Sequence, residues 1–177
     1  MPAIESRIDV NGEPFARNRA HMLSLIEKLR ALETRAREKS AQAKPLFDRR
    51  GQLLPRERVE RLLDIGAPWL ELCSIAGYGL DTPDLDKSIP GGGMIAGVGY
   101  VSGVRCLVVA SDSGIDAGAI QHMGREKLLR AQDLALKNKL PFIHLVESAG
   151  ANLLRYRVEG FIHGGAIFHN LAKLSAA

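Results

Sequence analysis

Met22, Leu25, Ile26, Leu29 and Leu32 recur at the i, i+3, i+4, i+7 spacing of a single helix face, which predicts one long helix from Asn18 to Gln42. Past Leu32 the stripe fades into Glu33-Thr34-Arg35-Ala36-Arg37-Glu38-Lys39, so the second half is expected to project into solvent or to lie against a partner chain. Lys44 to Gly51 reads as a connector. Pro55 then opens a short helix that runs through Asp64 and is ended by Gly66. Trp69 to Ile75 has the look of a strand, and Gly77 to Ser88, with Asp81, Asp84 and Asp86, that of an acidic surface loop. Two apolar runs, Met94–Val101 and Val104–Ala110, flank Ser102-Gly103 and predict a hairpin. His122–Asn138 has helical spacing, Pro141–Val146 reads as a short strand buried on both faces, and Gly164–Ala176 reads as a last helix carrying Ile167, Phe168, Leu171 and Leu174. From residue 69 onward the order is β, β, β, α, β, loop, α. Helices packed on a sheet, an α/β domain, follow from that alternation.

Composition narrows this little. The chain has 177 residues, 46% of them hydrophobic and 25% charged, which fits a globular protein and excludes a disordered or fibrous one. No run is long and apolar enough for a membrane span, and the N-terminus lacks the features of a secretory signal, so a cytoplasmic protein is expected. The formal charge is +4, but residues 1–67 hold 14 Lys and Arg against 10 Asp and Glu, whereas residues 68–177 hold 10 of each. The excess therefore belongs to the helical N-terminal part, where Glu27, Glu33 and Glu38 interleave with the cations, and is not read as a nucleic-acid footprint. Cys73 and Cys106 have no CxxC spacing, and Cys106, within an apolar run, is expected to be a buried, inert thiol.

Chemistry is expected beyond the carboxyl ends of strands, and two such ends are strings of small residues. Ala110-Ser111-Asp112-Ser113-Gly114-Ile115-Asp116-Ala117-Gly118-Ala119 is one, and Glu147-Ser148-Ala149-Gly150-Ala151-Asn152 the other. Both expose backbone amides without side-chain obstruction, which suits a phosphate or a developing oxyanion and equally suits a tight turn. Gly91-Gly92-Gly93 precedes a strand instead of following one, so it fails as a dinucleotide fingerprint and reads as a mobile hinge. No Gly-x-Ser-x-Gly elbow is present, and no pair among His21, His122, His144, His163 and His169 has metalloprotease spacing, so no metal is expected. His144 reads as a satisfied core residue. His163 and His169 flank the start of the last helix. Glu147 is the one carboxylate placed like a general base; its plainer role is to anchor nearby amides or to pair with Arg155 or Arg157.

Several segments, in register, resemble the carboxyltransferase β subunits of biotin-dependent acyl-CoA carboxylases. They are the run from Gly51 to Asp64, Gly92–Gly99, Leu129–Ala135, Leu140–Leu153 and Asn170–Ala176. The Gly150-Ala151-Asn152-Leu153 variant looks most similar to the methylcrotonyl-CoA and geranyl-CoA carboxylase branch. The resemblance implies a crotonase-like ββα superhelix, here a partial N-terminal carboxyltransferase domain over residues 68–177, preceded by a helical N-terminal extension over residues 1–67. It implies acyl-CoA as substrate, carboxybiotin carried on a biotin carboxylase or biotin carrier partner, and a homo-oligomer. By position, the backbone oxyanion hole for the thioester enolate falls at Ala149, Gly150 and Ala151. Acyl-CoA is expected against Gly114, Ile115, Gly118 and Ala119, with Lys127 available to its phosphates. The family usually has Ser-Gly-Gly-Ala where this chain has Ser148-Ala149-Gly150-Ala151, and Val-Lys-Gly-Gly where it has Ile115-Asp116-Ala117-Gly118. Family chains are much longer, so the biotin site and a second oxyanion hole are expected outside these residues.

Two other functions fit the residues. One is a different crotonase-class reaction (hydratase, isomerase or thioesterase) using Glu147 as base. The other is a non-catalytic interaction module docking through the basic helix at Arg35, Arg37 and Lys39.

Overall fold

A computed structural model describes residues 6–151 and 158–177. Its centre is a four-stranded sheet of β1 (Leu70–Glu71), β2 (Met94–Val101), β3 (Val104–Ser111) and β4 (Phe142–Leu145), ordered as in the sequence. β1 and β2 pair antiparallel, and so do β2 and β3, which form the expected hairpin with Ser102 and Gly103 both at positive φ. β4 pairs parallel to β3 after a crossover through helix α4 (His122–Asn138).

Strand alternation divides the core in two. Met94, Ala96, Leu107 and Val109 point to one face, where they pack on Leu128, Ala131 and Ala135 of α4. Ile95 and Ala110 point to the other, where Val59 of helix α3 (Pro55–Leu62) covers them, with Leu63, Trp69 and Leu145 alongside. α3 starts where Pro55 makes it start, and the Glu57 side chain accepts a hydrogen bond of 2.9 Å from the Leu54 N–H. Gly97 and Gly99 leave the room that Trp69 and Leu63 occupy on this face. Helix α5 (Val158–Ser175) lies outside α4, which it meets through Ile167 and Leu174, and leaves Phe161, Ile162 and Phe168 exposed.

The N-terminal helix reverses its expected orientation. α1 runs from Glu13 to Ala41, and its apolar stripe is the exposed part, with Met22, Leu25 and Leu29 all open to solvent. Its polar second half is the part that docks. Ala36 and Ser40 are buried, Arg35 donates to the carbonyls of Leu85 and Ser88, Glu33 accepts from Ser74, and Arg37 lies 3.7 Å from Glu71. The cations proposed for a partner are thus largely engaged within the chain, since polar contacts to loop carbonyls attach this helix more effectively than a narrow apolar stripe. Glu71, in turn, lies on the shortest of the strands.

Other differences are local. A helix α2 (Lys44–Arg49), which buries Phe47, replaces the expected connector, with Pro45 in its first turn. β1 is only two residues long, and Cys73 adopts φ 52, a left-handed conformation that ends the extended run. β4 is half-buried along its length because only β3 flanks it among the described strands. α5 begins at Val158, so His163 and His169 lie within it. Gly91, Gly92 and Gly93 all have positive φ and form a packed turn instead of a hinge. The Gly92 and Gly124 backbones touch so closely that a Cβ on either would collide with the other, and Asp112 N–H bonds the Gly93 carbonyl at 2.9 Å.

Gly97→Ala would drive a methyl group into the Trp69 ring and to 2.6 Å from the Leu70 carbonyl oxygen, neither of which can move freely. Chemical denaturation of this variant should show a loss of about 1–3 kcal/mol. An unchanged midpoint would mean that Trp69 does not lie across β2.

Candidate functional site

The parallel register of β3 and β4 sets Ala110 opposite Leu145, so the segments that follow both strands leave the same edge of the sheet. They are the two small-residue loops, and they are laced together. The Ser148 hydroxyl donates to the Gly118 carbonyl at 2.6 Å, Ala149 N–H donates to the Ala117 carbonyl at 3.1 Å, and Ile120 N–H donates to the Gly150 carbonyl at 2.8 Å. Ile120 and Ala151 form a parallel bridge at the far end. Gly118 makes this approach possible. Its φ is 70°, and a Cβ there would run into the Glu147 carbonyl. Asp116 and Ala117, just before it, also sit at left-handed φ values of 47° and 51°, a conformation that costs a non-glycine residue on the order of 1 kcal/mol. Hydrogen bonds hold it: Gly118 N–H to Ile115, Ala119 N–H to Asp116, and the Gln121 amide to the Asp116 carboxylate at 2.7 Å.

The amides named from the sequence are not equivalent. Ala149 donates inward to Ala117. Gly150, exposed and at φ 88°, donates to the Ser148 hydroxyl at 3.0 Å, and a Cβ on it would meet nothing. Ala151 is exposed, and its N–H has no partner among the described residues. Of the three amides, that of Ala151 is thus the one without a partner among the described residues, while that of Gly150 is held by the Ser148 hydroxyl on an exposed residue. Of the residues expected at the CoA, Gly114 lies under α1, where a Cβ would come within 2.6 Å of the Ser40 carbonyl oxygen, Ile115 and Gly118 are buried, and Ala119 is half-buried. They shape the loop. Asn152, Leu153, Arg155 and Arg157 lie outside the described residues.

Lys127 departs from its expected place. It is buried, and its ammonium donates to the Met94 carbonyl at 2.7 Å and to that of Gly91 at 3.3 Å, so it braces the glycine turn and is not presented to a phosphate. Around it is a charged layer that spacing did not reveal. Arg56 binds Glu71 through two hydrogen bonds, of 2.8 and 3.0 Å, and the Ser40 hydroxyl donates to buried Asp112. Burial lowers the Lys127 pKa to about 8, against the pull of Glu71 and Asp112. Burial also raises Asp112, which the Ser40 hydrogen bond and Arg56 only partly offset. At Glu71 burial works the same way but is outweighed by Arg56, which holds the carboxyl below its ordinary value. The only signal for this layer in the sequence was the conjunction of charged residues with apolar surroundings, as at Asp112.

Glu147 pairs with Arg58 of α3 at 2.8 Å. His144 is not satisfied as expected: its buried Nε2 has no hydrogen-bond partner among the described residues, and burial lowers its pKa. Cys106 is buried and its thiol pKa is pushed up by that burial, as an inert thiol requires. His163 reaches Glu126 of α4 at 3.2 Å, away from the loops. An open apolar groove of about 260 Å³, lined by Leu72, Val98, Leu107, Leu134 and Leu140, lies at the other end of the sheet and does not join the loops.

A sheet whose parallel strand pair delivers two laced, small-residue loops to one edge is an α/β scaffold of the class that places its loops beyond the carboxyl ends of parallel strands. The Carboxyl transferase domain model matches residues 48–177, and the chain belongs to that family. It is 40% identical over 177 residues to the probable mitochondrial methylcrotonoyl-CoA carboxylase β chain of Drosophila melanogaster, covering 98% of this chain and 30% of that protein. It is 50% identical over 130 residues to the biotin-dependent 3-methylcrotonyl-coenzyme A carboxylase beta1 subunit of Mycobacterium tuberculosis, covering 72% and 24%. Among solved structures, the β subunit of geranyl-CoA carboxylase from P. aeruginosa matches with a TM-score of 0.88 and 53% identity over 99% of this chain and 32% of that one. The partial crotonase-like α/β architecture is thereby shown. The chain spans about a third or less of the length of these relatives.

The Lys127 geometry has a pH consequence. With a folded pKa near 8 against 10.5, the unfolded chain binds the extra proton between those values, so the Lys127 contribution to stability rises with pH across that window and is lost as pH falls through 8. Denaturant titrations of wild type and Lys127→Met should diverge in the wild type's favour from pH 8 to 10.5, by about 1.4 kcal/mol for each unit of lowering. Parallel profiles would mean that Lys127 is not buried as described.

Proposed function

We propose that this chain is the part of an acyl-CoA carboxyltransferase subunit that binds the acyl-CoA and stabilises its enolate, with the amides of Gly150 and Ala151 as the donors. The observation that carries this is the laced pair of loops, which fixes an exposed left-handed turn at Gly150, with the Ala151 N–H without a partner among the described residues and the Gly150 N–H on the Ser148 hydroxyl. An enolate oxygen gains charge as the thioester loses its α-proton; the Ala151 N–H is in place to meet it, and the Gly150 N–H would share its Ser148 contact with it. Ala149 then acts as a tether, its methyl beside the turn and its N–H on Ala117. The carboxyl group is supplied by carboxybiotin carried on a partner protein, and the partner and the self-association expected from the sequence belong to the same reading. The relatives' names, which specify methylcrotonyl-CoA and geranyl-CoA carboxylases, support an acyl-CoA substrate of that kind. No helix among the described residues is long and apolar enough to cross a membrane. A cytoplasmic location is part of the proposal, and the Drosophila relative is a mitochondrial protein by name.

The competing use of Glu147 as a base has less support, because one of its oxygens is already engaged by Arg58. The test uses the full-length subunit with its biotin-carrying partner and methylcrotonyl-CoA or geranyl-CoA. Gly150→Val adds a side chain into open space but forces a β-branched residue to φ 88°, so it perturbs the amide direction without a clash. Carboxylation should fall by about 100-fold, the scale of losing one oxyanion donor. A variant with full activity, or a wild-type subunit that gives no heat with either thioester in calorimetry, would contradict the reading.

A further inference from the structure

Resting on that reading, we propose that Arg58 is a positioning residue: through Glu147 it sets the Ser148–Ala151 turn for the transfer step. Arg58 and Glu147 are 89 residues apart in sequence, yet Nη1 donates to Oε2 at 2.8 Å. Both side chains are half-buried, each 29% exposed, so the pair is shielded enough to hold a geometry.

Glu147 is where both loops are set. Its carbonyl lies over Gly118 so closely that no Cβ fits between them. Its side chain points to α3. The next residue, Ser148, gives its hydroxyl to Gly118 and receives the Gly150 N–H. Moving Glu147 therefore moves the hydroxyl that holds the Gly150 amide and the turn that carries the Ala151 amide.

α3 is built to hold that point still. Arg56 grips Glu71 of β1 through two hydrogen bonds. Val59 is buried against Ile95 and Ala110, with Leu145 alongside. Arg58, between them in sequence, reaches the end of β4. The helix is a strut across the edge of the sheet where β2 begins and β3 and β4 end, fixed at one side by Arg56, underneath by Val59, and at the other side by Arg58. Loss of Arg58 leaves the strut in place and frees only its grip on the turn. This assigns Glu147 a fixed structural task, with its carboxylate as the acceptor of a guanidinium and not as the acceptor of a substrate proton.

The experiment uses the full-length subunit with Arg58→Met, Arg58→Lys, Glu147→Gln, and the reversed pair Arg58→Glu with Glu147→Arg. In Arg58→Met, kcat for acyl-CoA carboxylation should drop between about 10- and 100-fold, the scale of a misplaced reacting group, while KM for the thioester and the melting temperature stay near wild type. Arg58→Lys should recover most of kcat, and the reversed pair should exceed either reversed single variant about tenfold. Hydrogen exchange read over residues 147–151 should quicken about tenfold in Arg58→Met and return in Arg58→Lys, whatever thioester the subunit accepts. A kcat within twofold of wild type in Arg58→Met overturns the inference, and so does a joint collapse of kcat, KM and melting temperature. Glu147→Gln that abolishes turnover without quickening exchange overturns it in favour of a base. Unchanged exchange in Arg58→Met overturns it even if the wild-type subunit carboxylates neither methylcrotonyl-CoA nor geranyl-CoA, a result that would separately remove the functional reading.

Discussion

The close approach of Gly118 to the Glu147 carbonyl is the constraint on which the rest of the site depends. A β-carbon at residue 118 would push the two loops apart, and with them the hydrogen bonds from Ser148, Ala149 and Ile120 that make two strand ends into one structure. Parallel pairing of β3 and β4 brings the loops to the same edge, but it does not by itself hold them in contact. Glycine does that, at a φ of 70° that other residues adopt only at a cost. Two non-glycine residues, Asp116 and Ala117, precede it in the same left-handed region, so the loop carries strain that its own hydrogen bonds must retain.

Behind the loops, helices α1 and α3 and the glycine turn are joined by charge instead of by apolar packing alone. Ser40 reaches Asp112, Arg56 reaches Glu71, and Lys127 reaches two carbonyls of the turn that leads into β2. Ions are costly to remove from water, and the opposed pKa shifts at Lys127 and Asp112 record that cost. What such a layer provides is direction. An apolar stripe lets a helix slide or roll, whereas a hydroxyl on one carboxylate and a guanidinium on another admit one docking. α1 fits this description: its apolar half is exposed and its polar half is docked.

Much of the fold was legible in the sequence because it is local. The Ser102-Gly103 hairpin, helix α4 and strand β4 each announce themselves through their own periodicity and end signals. The two small-residue loops were legible as separate features, and the parallel β3–crossover–β4 unit brought them together. Their lacing was not legible, since Gly118 and Ser148 are 30 residues apart and nothing in either segment names the other. The role of Lys127 is hidden for a similar reason: a lysine on a helix reads as surface, and only the packed turn at Gly91–Met94 shows what its ammonium serves. Arg35 and Arg37 read from sequence as a face for a partner, because their acceptors, two loop carbonyls and a carboxylate on a two-residue strand, carry no pattern. The Arg58–Glu147 pair spans 89 residues and carries no sequence signal, and the acid has nearer candidate partners in Arg155 and Arg157.

The central claim is that the Gly150–Ala151 amides form the anion site, held there by Gly118 beneath Glu147. The most direct measurement is a crystal structure of the full-length subunit with an intact acyl-CoA bound. The account predicts the thioester carbonyl oxygen about 2.7–3.1 Å from the Gly150 or Ala151 amide nitrogen. It also predicts that the Ala149 N–H remains on Ala117. A thioester carbonyl seated away from both amides, with this turn facing only solvent, would contradict it.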